Sequence, residues 1–423
     1  MKKNIVNILW LSIDKATTLF GSLIVTVFVA RYLGPEKMGV FNLALAIIAF
    51  ILPISQFGIE HLIYNKVSKS NEDAICFIKH TEPLRVLLFI CGFFIILIYI
   101  NSSDYNIESK RIIFTLLFFS FFSCLDVYKY YFDATVNSKL NTYCSQIGFH
   151  LSWISRIILV YFKVNVIWFC IPFIINMVIP FLLRYVIFNR EKVNKNRNKI
   201  SEASKELFKS GLPLAISSLS VIVYTRISQI FLASFLDTKT VGIYNAALVL
   251  GQSWVFIPMS ILLTFMTKVL SDKDDLRNGF SFISLLMLIS SLPFIIICFL
   301  FSDSIIRYSF GYAFIDASKF IFIIALSSLL SVFGTLTYRL MIYLSGARYL
   351  MIKTIFCAII NITLSWFLIP KYGISGAVIS LFVTELLSLT VMNYFFKNGY
   401  IFTLHKNVIN YKRFIVFYKG VYE

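Results

Sequence analysis

Charge is scarce in this sequence. Charged residues make up 14% of the 423, and only 21 residues are acidic, where a soluble domain carries roughly 25% charge. With 58% apolar residues and a mean hydropathy of +0.81, the composition excludes an ordinary soluble domain. The seven cysteines (Cys76, Cys91, Cys124, Cys144, Cys170, Cys298 and Cys357) form no CxxC pair and no metal-ligand spacing. They give no evidence for a disulfide framework or a metal site, and most of them fall in apolar runs as small hydrophobic residues. No nucleotide loop, metal cluster or nucleophile motif is present. The sequence therefore calls for no cofactor and no metal, and any energy source is an ion gradient or the substrate gradient. The N-terminus, MKKNIVNILWLSIDKATTLF, starts like a signal peptide. Asp14 and Lys15 interrupt its apolar region and no small-x-small site follows, so a retained first span is expected.

What is present is a series of apolar segments of about 20 residues, each long enough to cross a hydrocarbon core about 30 Å thick. Runs this continuous satisfy their backbone as helices. Six are expected at about 8–30, 39–64 (kinked at Pro53), 84–100, 111–132, 141–161 and 164–188. Six more are expected at about 207–235, 241–270, 280–301, 320–344, 350–369 and 374–396. The fold class is thus an all-α integral membrane protein of about twelve spans. An N-terminal lobe (1–188) and a C-terminal lobe (207–396) are joined by a basic linker (189–206), and a basic tail (397–423) lies along the membrane surface. The net charge of +18 does not indicate nucleic acid, because the basic residues sit between spans and form no soluble domain.

The chain repeats itself across these lobes. ARYLGPEKMGVFNLALAI (30–47) aligns without a gap on ASFLDTKTVGIYNAALVL (233–250), with identities at Ala30/Ala233, Leu33/Leu236, Gly39/Gly242, Asn42/Asn245, Ala44/Ala247 and Leu45/Leu248. An internal repeat explains this. With six spans per lobe both halves enter from one side, which makes the repeat parallel, about an axis along the membrane normal. Placing the termini and linker in the cytoplasm puts about 26 of the 39 Lys+Arg on that side, so both termini are expected inside. The opposite loops, such as 34–38, 237–240 and 371–373, are too short to hold a folded domain.

The segment ARYLGPEKMGVFNLALA resembles the first loop and second span of Wzx-type polysaccharide flippases. VYTRISQIFLASFLDTKTVGIYNAALVLGQSWVFIP (223–258) is similar to their seventh and eighth spans, and IINITLSWFLIPKYGISGAVIS (359–380) to their eleventh and twelfth. These proteins share a superfamily with drug/cation antiporters and the peptidoglycan-precursor flippase, built from two six-helix lobes around a central cavity. The resemblance implies ion-coupled, alternating-access transfer of an undecaprenyl-pyrophosphate-linked oligosaccharide to the outer leaflet of a bacterial inner membrane. The implied partners are that lipid-linked sugar, the bilayer, a polysaccharide polymerase and chain-length machinery, with no nucleic acid. One departure stands out: many relatives carry an Asp where this chain has Ser228.

Arg226 is the sharpest candidate. A lone Arg mid-span costs about 2.5–3.5 kcal/mol, so it must face water, a partner or an anion, and guanidinium grips phosphate oxygens bidentately. A structural ion pair is the alternative. Arg339 and Lys15 join it as candidate cavity cations, though each lies near a span end and can snorkel. So can Arg156. Glu385, Asp126 and Asp14 are candidate proton or ion carriers, because burial raises a carboxyl pKa. Against Asp126 stand Lys129 and Tyr130, one turn on and able to satisfy it locally. Glu60 and His61 read as interfacial, His150 as an interior histidine, and Asn42 and Asn245 as helix-joining amides. Trp254, Phe256 and Pro258 either line a sugar path or pack. Two other functions compete: a small cationic drug antiporter, which needs cavity acids, and a membrane-embedded polymerase or ligase, which needs a large outer loop or clustered catalytic groups.

Overall fold

The structure, a computed structural model, describes residues 2–190, 200–271 and 276–406; the side chains of residues 2–16, 19–20, 200–201, 267–268 and 270–271 lie outside that description. Half of the linker expected at 189–206 and most of the tail at 397–423 therefore lie outside it too. All regular structure among the described residues is helical. The chain forms two compact units, Met1–Gly242 and Ile243–Glu423.

In the first unit α1 (Lys2–Ala49) is broken at Gly34, whose φ of 73° lies in the left-handed region. It is followed by α2 (Ile51–Gln56) and α3 (Ile59–Val67). The expected kink at Pro53 falls instead four residues on, at Phe57 and Gly58, both left-handed (φ 47° and 72°). Then come α4 (Asn71–Ser102), α5 (Ile107–Leu125), α6 (Tyr128–Ala134), α7 (Ser138–Tyr161), α8 (Cys170–Asn189) and α9 (Ile200–Phe235). Starts are marked by side-chain caps: Ser70 Oγ accepts from Asp73 N at 3.4 Å, and Asn106 Oδ1 from Ser109 N at 2.7 Å. A core of Ile63, Ile78, Tyr128, Phe132, Phe188 and Leu207 ties α3, α4, α6, α8 and α9 together.

α10 (Thr238–Gln252) carries the chain from the first unit into the second. The second continues with α11 (Phe256–Ser271), α12 (Leu276–Leu300), α13 (Ser302–Tyr308), α14 (Ser318–Tyr343), α15 (Ala347–Tyr372), α16 (Ile374–Leu389), α17 (Val391–Tyr394) and α18 (Tyr400–Lys406). Its core gathers Leu262, Ile283, Met287, Leu336, Met341 and Ile401.

Among the described residues, nine helices are long and apolar enough to cross a membrane, or ten if the bent pair in α10 and α11 (45°) is one span. About twelve were expected. α7 has the length of a span, yet its polar residues, from Gln146 and His150 to Arg156, keep it out of this count.

The repeat is realised in the backbone. Both copies break at the same aligned position, by different chemistry. In the first, Gly34 turns left-handed and Pro35, which has no N–H to leave unpaired, starts the next helix. In the second, Asp237 Oδ1 accepts from Thr240 N at 2.7 Å and caps α10. Residues 38–41 and 241–244 are buried alike. The two helix starts also cross. A Cβ on Gly39 would stand 1.7 Å from Thr238 O, and one on Gly242 2.0 Å from Pro35 O. Thr238 aligns with Pro35 and Gly242 with Gly39, so the contact is reciprocal, as a local twofold requires. Only glycine permits so close a pass.

Candidate functional site

The stretch holding α5 and α6 has neither Gly nor Pro at the break, yet the helix stops at Leu125 and restarts at Tyr128. In hydrocarbon, carbonyls freed by a helix end have no water to accept from. Side chains of other helices supply the donors. Gln56 Nε2 donates to Ser123 O at 3.3 Å, and Tyr130 Oη donates to Gln56 Oε1 at 2.9 Å. Arg85, fully buried, donates through Nη1 to Leu125 O and through Nη2 to Ile78 O, each at 3.2 Å. A guanidinium at a helix C-terminus also complements the macrodipole.

Asp126, at the break itself, pairs with Arg184 of α8. Arg184 also donates to Ser145 Oγ and, at 3.4 Å, to Asn141 O. The two side chains are 6% and 8% exposed. This corrects the expectation that Lys129 and Tyr130 satisfy Asp126. Neighbours three and four residues on face each other only along a continuous helix, and this one is interrupted. Lys129 lies instead over the Tyr130 ring at 4.8 Å, while the Tyr130 hydroxyl serves Gln56. Arg85 and Arg184 are polar residues that the sequence reading missed.

Arg226 lies on α9, nine residues short of Phe235, which places it about 14 Å along the helix axis from that end. Its side chain is exposed, whereas Ser228 and Gln229 are buried. Asp14 and Lys15 lie on α1, with side chains outside the described residues. Arg156 rests over the Phe173 ring at 4.6 Å. His150, expected inside, is exposed and meets Trp153 edge-on at 4.9 Å. Glu60 and His61 are exposed.

In the second unit Arg339 is half-buried on α14, four residues before Tyr343. Glu385 on α16 is 6% exposed, beside the Ser331 hydroxyl and within electrostatic reach of Lys353. Lys353 of α15, itself buried, donates to Asn393 Oδ1 at 2.7 Å, and Asn393 Nδ2 donates to Thr337 Oγ1 at 3.2 Å. Asn361 Nδ2 donates to Thr384 Oγ1 at 3.0 Å and to Ser380 O at 3.3 Å. A buried polar string thus links α14, α15, α16 and α17, with one carboxyl and one ammonium that no ion pair joins among the described residues. Trp254 is 2% exposed and stacks on Phe294 at 6.4 Å, so it packs in the core of this unit.

A family model described as polysaccharide biosynthesis protein matches residues 5–271. No curated protein sequence matches the chain at a significant level. Among solved structures, the chain is similar to the inward-closed lipid II flippase MurJ. The identity is 16% and the TM-score 0.72, over 97% of this chain and 93% of that one. It is equally similar to an inward-facing multidrug resistance MATE family transporter of the MOP superfamily, at 16% identity and a TM-score of 0.71, over 93% and 99%. The MATE multidrug transporter DinF-BH follows at 14% identity and a TM-score of 0.65, over 95% and 96%. At these identities the likeness establishes the fold, all-helical and MATE-like.

Proposed function

Because the chain belongs to the polysaccharide biosynthesis protein family, we propose that it is a flippase carrying undecaprenyl-pyrophosphate-linked oligosaccharide from the cytoplasmic to the outer leaflet by alternating access. The supporting observation is the exposed Arg226, about 14 Å from the end of an apolar helix. Facing lipid at that depth it would cost about 2.5–3.5 kcal/mol; facing a water-filled path it costs little and offers a diphosphate a bidentate partner. Arg339 and Lys15 extend that positive path in this reading. Glu385 is the favoured coupling group, because Asp126 is already held by Arg184. The termini face the cytoplasm of a bacterial inner membrane, and a polysaccharide polymerase with its chain-length machinery consumes the product.

The fold likeness to multidrug transporters supports a second reading, a drug/cation antiporter. That reading asks for an acid where Arg226 stands. A strain lacking the protein is expected to accumulate lipid-linked repeat unit on the inner leaflet, and complementation should clear it. Normal export in the deletion strain, together with heightened sensitivity to cationic drugs, would decide for the antiporter.

A further inference from the structure

A cleft of about 480 Å³ opens beside the Gly34 break, between the end of the first half of α1 and the turn that joins α7 to α8. Lys37 and Lys163 line it, with Tyr32 and Asn165, and no acid does. Tyr32 Oη donates to Val164 O at 3.2 Å and its ring stacks on Phe169 at 5.8 Å, which fixes the turn against α1.

Lys37 opposes the helix dipole where it stands, and Lys163 is held in a strained backbone conformation. Lys163 has φ 50°. It occupies the left-handed position of a helix-ending turn in which Lys163 N donates to Val160 O at 3.1 Å and Val164 N to Leu159 O at 3.3 Å. Glycine is the usual occupant of that position. A lysine there accepts a strain that glycine would avoid. Its charge outweighs the half-charge of the α7 C-terminus. Lys37 sits in the first turn of the helix that Pro35 begins, where a cation opposes the macrodipole. Helix start and lysine together make that wall positive. Around the turn Tyr161, Phe162 and Trp168 are 80%, 69% and 54% exposed, the residue types that sit at lipid head-group level.

We propose that this cleft binds the phosphate of an anionic phospholipid head group, with Lys37 and Lys163 on the phosphate and the exposed aromatic residues along the acyl–head-group boundary. The site stands apart from the transport reading and does not depend on it.

The test uses the full-length protein in mild detergent, titrated with phosphatidylglycerol, phosphatidylcholine or inorganic phosphate, with thermal stability as the readout. Phosphatidylglycerol should stabilise the wild type, and the other two should not. Lys37→Gln/Lys163→Gln should move the phosphatidylglycerol midpoint by on the order of 25-fold, about fivefold per lysine. Lys163→Gly should melt higher than the wild type without lipid, because the strain is gone, yet bind phosphatidylglycerol more weakly. An unchanged midpoint in the double variant overturns the proposal. So does equal stabilisation by inorganic phosphate, which would make the cleft a free-anion site, or by phosphatidylcholine, which would make the effect general solvation.

Discussion

Replacing Arg184 by alanine tests how the break in the α5–α6 span is held. Arg184 makes an ion pair with Asp126 and hydrogen bonds with Ser145 and Asn141, and the paired side chains are 6% and 8% exposed. Removing it leaves a buried carboxylate whose Oδ1 already lacks a partner. Breaking a buried pair from one side costs about 3–5 kcal/mol, a large share of a net stability of about 5–15 kcal/mol. Arg184→Ala and Asp126→Ala should each lower membrane abundance and the temperature at which the detergent-solubilised protein loses its monodisperse peak on size exclusion. Asp126→Asn/Arg184→Gln keeps hydrogen bonds across the gap and removes both charges, so it should recover most of the loss. A double-mutant cycle would then give a coupling of about 0.5–3 kcal/mol. Wild-type thermal stability in Arg184→Ala, or strictly additive losses, would refute the reasoning.

Arg226→Ala should sharply reduce export at normal protein abundance, Arg226→Lys should rescue in part by keeping charge without bidentate geometry, and Arg226→Glu should be worst; normal export from Arg226→Glu, measured as surface polysaccharide, contradicts the role. Gly39→Ala and Gly242→Ala each drive a methyl into a backbone carbonyl of the partner segment, so each should cost about 1–3 kcal/mol, read as lowered melting temperature; Lys239→Ala, at an exposed position nearby, should be silent. His405 lies on α18 beside Tyr394 Oη at 3.4 Å, and burial first, then the charge of Lys353, pushes it down to about 4. Its folded pKa lies below the unfolded value of about 6.5. The unfolded chain therefore takes up the proton first, and stability should be flat above about pH 6.5 and fall toward pH 4. His405→Gln should flatten that slope, and an unchanged melting profile across the window would count against it.

The helical membrane fold was legible because long apolar runs admit few other structures, and the repeat because its two turns share a register. The α5–α6 break was not. SCLDVYKYY carries no glycine or proline, and only its lone acid marks the place where the helix fails. The donors that make the break tolerable come from Gln56, Arg85 and Arg184, far away in sequence. Arg85 was hidden by a boundary. The third span was expected from about residue 84, whereas α4 starts at Asn71 and runs through Pro83. Arg85 is therefore well inside a helix and not at its mouth. Arg184 stands a few residues from the expected end of its span, and only the packing of α7 on α8 shows it turned inward to Asp126. The pairing of the Lys37 and Lys163 turns at one cleft depends in the same way on tertiary placement.

The crossing of Gly39 and Gly242 has a meaning for how such a chain arises. Each partner offers the other the same residue type at the same register, glycine toward the first residue of the opposing helix. Two separate copies of a half-length chain would meet in this way in a symmetric dimer. The crossing therefore has, inside one polypeptide, the geometry of a symmetric subunit interface. It leaves each half free to diverge: Pro35 in one and Thr238 in the other begin the same helix by different means, while the glycines between them had to stay.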